Sequence, residues 1–356
     1  MSTVALDIGS TSLAAVQLDV RGERIRLERA LVRPLPEGLV HAGEIADREA
    51  VAEHIKALWK SGRFSGRRVR LGVANRRVLV RMMDLPTLDD EASMRAAVEE
   101  AVTEHLPISA PEAVVDSRPV ARYWTGTESR ERRMVVAAQR GMIDGLVATV
   151  RSAGLQPVGI DLEAFALLRA VLPQPMLIDE GSADTPARVV CHVGGEVVQV
   201  VVAVDRRCHF TRQIDGGGVA LTRAVAERAG LDPEEAEAAK RVCGFLGDTP
   251  EGWEPDAAAR VRHALALAAR PLVREIGRSL DYYRAQPDAR PIGGVVLTGG
   301  GALCAGLDRY LWQALGIPVE VGDARLQIDE GDALDPDTAA RVSVAVGLAL
   351  DGSDDL

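Results

Sequence analysis

Apolar and polar residues alternate along this chain in short blocks, and the blocks fall into two halves that begin alike. Val4-Ala5-Leu6 runs into Asp7, Gly9 and three hydroxylated residues, Ser10, Thr11 and Ser12, before an apolar run leaves again to Leu18. That pattern predicts a tight β-hairpin whose turn uses glycine for its backbone conformation. Arg24 to Val32 reads as a third strand. Val51, Ile55 and Leu58, at helical spacing behind a capping Asp47, predict a helix to about Ser61. Val69–Val73 and Val78–Val80 read as two more strands, so the opening unit is three strands, a helix and two strands.

Beyond Leu85-Pro86 the texture changes. Asp89 to His105 is a charged, Glu/Ala-rich helix with Met94, Val98, Ala101 and Val102 as its apolar stripe, ended by Pro107. Val114–Trp124 and Arg133–Ala138 predict a strand pair, and a helix carrying Ile143, Leu146 and Val150 follows, closed by Gly154. Residues 86–158 read as a small inserted helix-plus-sheet unit. Val158–Leu162 and a short helix from Glu163 return the chain to the first core, and Asp179 to Thr185 is the best linker in the sequence.

The opening pattern then recurs. Val189 to Val193 leads through Gly194-Gly195-Glu196 into Val197–Val204, and Gly216-Gly217-Gly218 opens a helix after a further strand. Helices fill about 219 to 287. Within them, Glu237 and Lys240 sit on adjacent positions of one face, a pattern that also describes an ordinary surface ion pair. Val295 to Thr298 is a buried strand running into Gly299-Gly300-Gly301, Leu307–Leu315 is a helix, Val319–Val321 an edge strand, and Ala339–Leu350 a closing helix. The repeated hairpin implies an internal duplication with a cleft between the copies.

Composition narrows the function. The chain has 356 residues, 47% of them hydrophobic, with 34 glycines, which suits an α/β protein of more than one domain. A net charge of -10 with no basic stripe argues against nucleic-acid binding; Arg67, Arg68 and Arg70 read as solvated surface. The four cysteines lack metal-ligand spacing and read as buried thiols. No signal sequence is visible and no apolar run nears the roughly 18 residues that span a bilayer, so a cytoplasmic protein with no direct membrane insertion is expected.

One glycine turn is weak evidence, but three turns after apolar strands are stronger, because ligands in α/β proteins sit beyond strand ends where backbone donors converge. Ser10, Thr11 and Ser12 would offer N–H and hydroxyl groups to an anion, and Asp7 could hold a hydrated cation. An ordinary Gly-Ser turn would also explain the first hairpin taken by itself.

In this order the motifs resemble the actin-like ATPase superfamily: a first phosphate hairpin at Asp7 to Ser12, a second at His192 to Glu196, and an adenosine loop at Leu297 to Ala302. Within it the chain most resembles the PilM family of type IV pilus assembly proteins, relatives of the division protein FtsA. The similarity rests on Met83-Asp84-Leu85-Pro86, His105-Leu106-Pro107, Gln139-Arg140, Gly217-Gly218-Val219-Ala220-Leu221-Thr222, Ala236-Glu237-Ala238-Ala239-Lys240 and Leu297-Thr298-Gly299-Gly300-Gly301 with Gly306-Leu307. The resemblance implies an α/β, two-lobed actin-like fold of duplicated ribonuclease-H-like cores with an inserted FtsA/PilM-type α+β subdomain. Its parts would be 1–85, completed by 159–184 and 339–350; the insertion 86–158; 185–222 with 290–338; and 223–289.

It further implies ATP and Mg²⁺ between the lobes. Gly9, Ser10, Thr11 and Ser12 would meet the β- and γ-phosphates, and Gly194, Gly195 and Glu196 would approach from the other lobe, next to Gly217 and Gly218. Glu237 and Lys240 would bind the ribose, Gly299, Gly300 and Gly301 would line adenine and α-phosphate, and Asp7 would hold Mg²⁺ through water. The tail of a PilN-like inner-membrane protein would dock in a groove of 86–158, placing the chain peripherally at the inner membrane of a pilus or type II secretion machine, and self-association is a further expectation.

Two positions depart from the superfamily pattern. Ala14 stands near the position of a usual lysine, and His192 stands where the second hairpin usually begins with aspartate. Less negative charge for a hard cation implies that nucleotide binds and that hydrolysis is slow or absent. The alternatives are an active ATPase, a small-molecule kinase with Asp161 or Asp215 as its catalytic aspartate, and an FtsA-like polymer. The acidic ending, Asp351 to Leu356, lacks the basic amphipathic helix that FtsA-type proteins use on lipid.

Overall fold

The computed structural model describes residues 2–22, 24–172, 185–329 and 334–350. Most of the linker expected at 179–185 and all of the acidic ending at 351–356 lie outside the described residues.

The chain builds the same sheet twice. In the first half, β1 (Ser2–Ile8), β2 (Ser12–Arg21) and β3 (Arg24–Pro34) form an antiparallel meander. A two-stranded ribbon, β4 (Val40–His41) and β5 (Glu44–Ile45), precedes helix α1 (Arg48–Gly62). Strand β6 (Arg68–Val73) then lies parallel to β1. Asp47 caps α1 by accepting the Ala50 N–H at 3.0 Å, and Val51, Ala52, Ile55 and Leu58 are its buried face.

A separate three-stranded sheet follows, made of β7 (Val78–Pro86), β8 (Ala113–Trp124) and β9 (Ser129–Gln139) in the order β7-β9-β8. Helix α2 (Glu91–His105) packs Met94, Val98 and Val102 against it. The strand at Val78–Val80, read from sequence as part of the first unit, pairs instead with β9, so this sheet begins before Pro86. Alternation identifies a strand but not its partner, which is why the sequence misplaced it. Helix α3 (Arg140–Ser152), strand β10 (Gln156–Leu162, parallel to β6) and helix α4 (Glu163–Val171) bring the chain back.

In the second half β11 (Ala187–Val193), β12 (Val197–Val204) and β13 (Arg207–Asp215) repeat the meander. Helices α5 (Gly218–Ala229), α6 (Pro233–Cys243) and α7 (Pro255–Arg284) precede β14 (Ile292–Thr298), α8 (Leu307–Leu315) and β15 (Val319–Val321). The orders β10-β6-β1-β2-β3 and β13-β12-β11-β14-β15 are two copies of one topology, three antiparallel strands and then two parallel additions. Helix α4 lies between the copies: its buried residues share a core with Val190, Val201 and Val296 of the second sheet.

The closing segment is two helices, α9 (Pro336–Arg341) and α10 (Ser343–Ala349), where the apolar pattern predicts one. Ser343 explains the break. Its hydroxyl reaches the Ala339 and Ala340 carbonyls at 3.2 and 2.8 Å and the Thr298 hydroxyl at 2.8 Å, tying the junction to the end of β14.

Candidate functional site

The first two glycine turns meet. The Glu196 N–H donates to Ser10 Oγ at 3.1 Å. A Cβ on Gly195 would lie 2.7 Å from Ser10 Oγ and 2.8 Å from Thr11 Oγ1, so only glycine lets the hairpins touch. Each hairpin is closed in the same way, by Gly9 N–H to the Ser12 carbonyl and Gly194 N–H to the Val197 carbonyl, both at 3.0 Å. The β14 turn closes the third side. Gly299 has φ +88°, a left-handed value that suits glycine, and Gly301 lies so close to Val193 that any side chain would collide.

Between them is a cavity of about 300 Å³ bordered by Asp7, Gly9, Ser10, Thr11, Ser12, Gly194, Gly195, Gly218, Glu237, Lys240, Gly300 and Gly301. That volume is at the lower end of the range for small-molecule sites. The amides of Ser10, Thr11, Gly195, Gly300 and Gly301 donate to no group among the described residues. Unpartnered donors from both halves thus border one concavity, the arrangement that holds phosphate oxygens.

Other expected site residues contribute differently. The Gly218 and Val219 N–H groups donate to the Gly194 and Gly195 carbonyls at 2.9 Å, and a Cβ on Gly217 would lie 2.5 Å from the Gly194 oxygen. These glycines buttress the second hairpin. The Glu196 carboxylate turns away from the cavity: it accepts the Ala42 N–H at 3.0 Å and lies 2.9 Å from His41 Nδ1, fastening the β4–β5 ribbon to the other half.

Lys240 is 6% exposed, and its ammonium donates to Glu237 at 2.5 Å, Thr222 Oγ1 at 2.8 Å and the Gly218 carbonyl at 3.2 Å. All three of its protons are committed, so Lys240 fixes Glu237 and α5. Burial pushes the Glu237 carboxyl up, but hydrogen bonds from Lys240 and Thr222 outweigh it and bring it down to about 2. Its Oε1 accepts from Arg241 at 2.9 Å, and the residue borders the cavity.

Sequence reading missed three contributors. Arg241 and Arg341 both border the cavity, and both reach Asp337, at 3.5 and 3.3 Å. Glu163, at the first position of α4, sits behind Asp7. Burial, and then the charge of Asp7, holds its carboxyl well above the usual range, while burial raises Asp7 to about 7. The signal available was a carboxylate where a strand ends and a helix begins, but the same residue also suits a helix dipole.

Asp7 fits a hydrated Mg²⁺ held through water: it is an oxygen donor bordering the cavity, and no group of three or more His, Cys, Asp or Glu able to hold a metal occurs among the described residues, so the remaining ligands would be water and phosphate. His192 brings no charge: burial lowers it to about 4, and its Nδ1 has no hydrogen-bond partner. Asp161 is ion-paired with Arg169, and Asp215 with Arg76; neither borders the cavity.

A pH dependence follows. Asp7 holds its proton more tightly folded than unfolded, so its stabilising contribution is complete below pH about 4 and is lost as pH rises through about 7. Asp7→Asn is expected to stabilise the ligand-free chain at pH 8 by about 2–4 kcal/mol and to flatten its pH profile, read by urea denaturation at pH 5 and 8.

Comparison with known proteins agrees with this architecture. The profile of the type IV pilus assembly protein PilM family matches residues 5–353. The chain is similar to the solved structure of a PilM-PilN type IV pilus biogenesis complex, with 26% identity, 98% of each chain covered and a TM-score of 0.82. It shares its fold with the ethanolamine utilization protein EutJ of Carboxydothermus hydrogenoformans, at 14% identity, 99% and 90% coverage and a TM-score of 0.57. The ADP-bound MreB5 of Spiroplasma citri is similar at 14% identity, 97% and 94% coverage and a TM-score of 0.55. With its two-lobed, actin-like fold, the chain belongs to the PilM family of type IV pilus assembly proteins.

Proposed function

We propose that this protein is a nucleotide-binding scaffold of a type IV pilus or related type II secretion machine, and that it carries ATP and Mg²⁺ between its lobes. The observation that supports this most is the set of unpartnered amides from three glycine turns around one cavity. Ser10, Thr11 and Gly195 grip the β- and γ-phosphates, Gly300 and Gly301 pass beneath the α-phosphate and base, and Glu237 accepts a ribose hydroxyl. Bound Mg²⁺ would neutralise phosphate charge next to Asp7. With His192 neutral where an anionic side chain would orient water, hydrolysis is slow or absent.

We further propose that the cytoplasmic tail of a PilN-like inner-membrane protein is the partner, and that it holds the chain at the membrane. The similarity to a PilM-PilN complex supports this choice of partner. No helix of the described residues is long and apolar enough to cross a bilayer. The seat proposed for the tail is a cavity of about 210 Å³ between the inserted unit and the first lobe, bordered by Glu44, Ile45, Arg48, Gln139, Gly141 and Met142.

Gly141 offers a test, because a Cβ there meets nothing within 4 Å. Gly141→Trp is expected to keep the native melting temperature and to weaken a synthetic tail peptide by about tenfold or more in calorimetric titration. Unchanged peptide affinity would remove the tail from this groove. ATP with Mg²⁺ should raise the melting temperature by mass action, and brisk Mg²⁺-dependent phosphate release would contradict the scaffold reading.

A further inference from the structure

One end of the first sheet is basic. Strands β1, β3, β6 and β10 begin there and β2 ends there, because β1 and β3 are antiparallel to β2 while β6 and β10 run with β1. The phosphate turn at Gly9 to Thr11 lies at the opposite end of β1. Helices α1 and α3 also finish at the basic end, since each leads within a few residues into the start of β6 or β10. Arg24 opens β3, Arg68 opens β6 next to Arg67, and Lys60, Arg63 and Arg151 stand at the helix C-termini. All of these side chains are exposed.

None of them meets a carboxylate among the described residues. Carboxylates at this end are otherwise engaged: Asp19 holds Arg21 at 2.8 Å, Glu28 accepts from Ser2 at 2.9 Å and Gln17 at 2.6 Å, and Asp329 accepts the Ile25 N–H at 2.8 Å. Helix dipoles account for Lys60, Arg63 and Arg151, but not for Arg24, Arg67 and Arg68. The chain as a whole carries a net charge of -10, so this end stands out as a local positive field. Read along the sequence these arginines look scattered; strand order gathers them.

The end is suited to a broad surface. Neither cavity described above is bordered by these residues, so they form a field and not a pocket. The aromatic rings here, Trp59 and Phe64, face each other at 5.0 Å and neither is exposed, which leaves no platform for a nucleic-acid base.

We propose that this end of the first lobe lies against an anionic lipid surface, held by charge without insertion. Each arginine near such a surface raises affinity about fivefold. That attraction is weak for a free chain and sufficient for a tethered one, because a tether raises the effective concentration. The choice of lipid rests on the proposed tether to an inner-membrane protein, but the test uses no tail peptide, so either reading can fail alone.

The test is co-sedimentation of the full chain with vesicles. Binding is expected to mixed phosphatidylglycerol and phosphatidylcholine vesicles, with little to phosphatidylcholine alone, and it falls as salt is raised. Arg24→Gln is expected to weaken binding about fivefold, and Arg24→Gln, Arg67→Gln and Arg68→Gln together about a hundredfold, with the native melting temperature kept. Changing Arg260, Arg270 and Arg274, exposed on α7, to glutamine alters the net charge equally and is expected to leave binding as it was. No binding to the anionic vesicles, equal binding to neutral ones, equal loss in both triple variants, or tighter binding to a short DNA duplex at the same salt overturns the proposal.

Discussion

Gly195→Ala is expected to weaken ATP binding by about tenfold or more and leave the rest of the fold intact. The added methyl would stand 2.7 Å from both Ser10 Oγ and Thr11 Cγ2. These side chains can turn aside, but they and their amides are the proposed phosphate grip. Moving them also breaks the Glu196 N–H to Ser10 bond at 3.1 Å. Each phosphate hydrogen bond lost is worth about 1.5–3 kcal/mol, which sets the size of the effect. The check is the rise in melting temperature with ATP and Mg²⁺, native chain against variant; an equal rise in both would mean that the nucleotide does not pass between the hairpins.

The second large effect is on stability. Gly347→Ala is expected to cost at least about 3 kcal/mol, because overpacking a close helix contact forces the backbones apart. A Cβ at this position would fall 1.8 Å from the Ala166 carbonyl oxygen, and that atom belongs to α4 and cannot rotate away. Arg169 Nε also donates to the Gly347 carbonyl at 2.9 Å, so the same shift loosens a buried guanidinium. Val344, Ala345, Val346 and Leu348 are fully buried around it. Urea unfolding reads the loss directly, and a midpoint within experimental error of the native chain would mean that α10 does not pack on α4 at this distance.

Much of this architecture was legible in the sequence. Strand, glycine and strand repeat in order, and a hairpin is a local event, so Asp7 to Ser12 and His192 to Glu196 declared themselves. What needed coordinates was non-local. The partner of β7 could not be read because a strand's alternation is the same whichever sheet it joins. The Ser343 break was hidden inside an unbroken apolar run, since the hydroxyl that causes it answers to Thr298 on another element. Glu163 and Asp7 come together only through the order of the parallel strands. The motifs do not disclose that the Glu196 carboxylate serves the β4–β5 ribbon, nor that every Lys240 proton is committed inside the protein.

A crystal structure with Mg²⁺ and a non-hydrolysable ATP analogue tests most directly whether one ligand joins the two copies of the repeated sheet. The expected result is a triphosphate lying between Thr11 and Gly195, with phosphate oxygens within hydrogen-bond distance of amides from both turns and the metal beside Asp7. A nucleotide held by one lobe only, or a cleft that stays empty at saturating analogue, would contradict it.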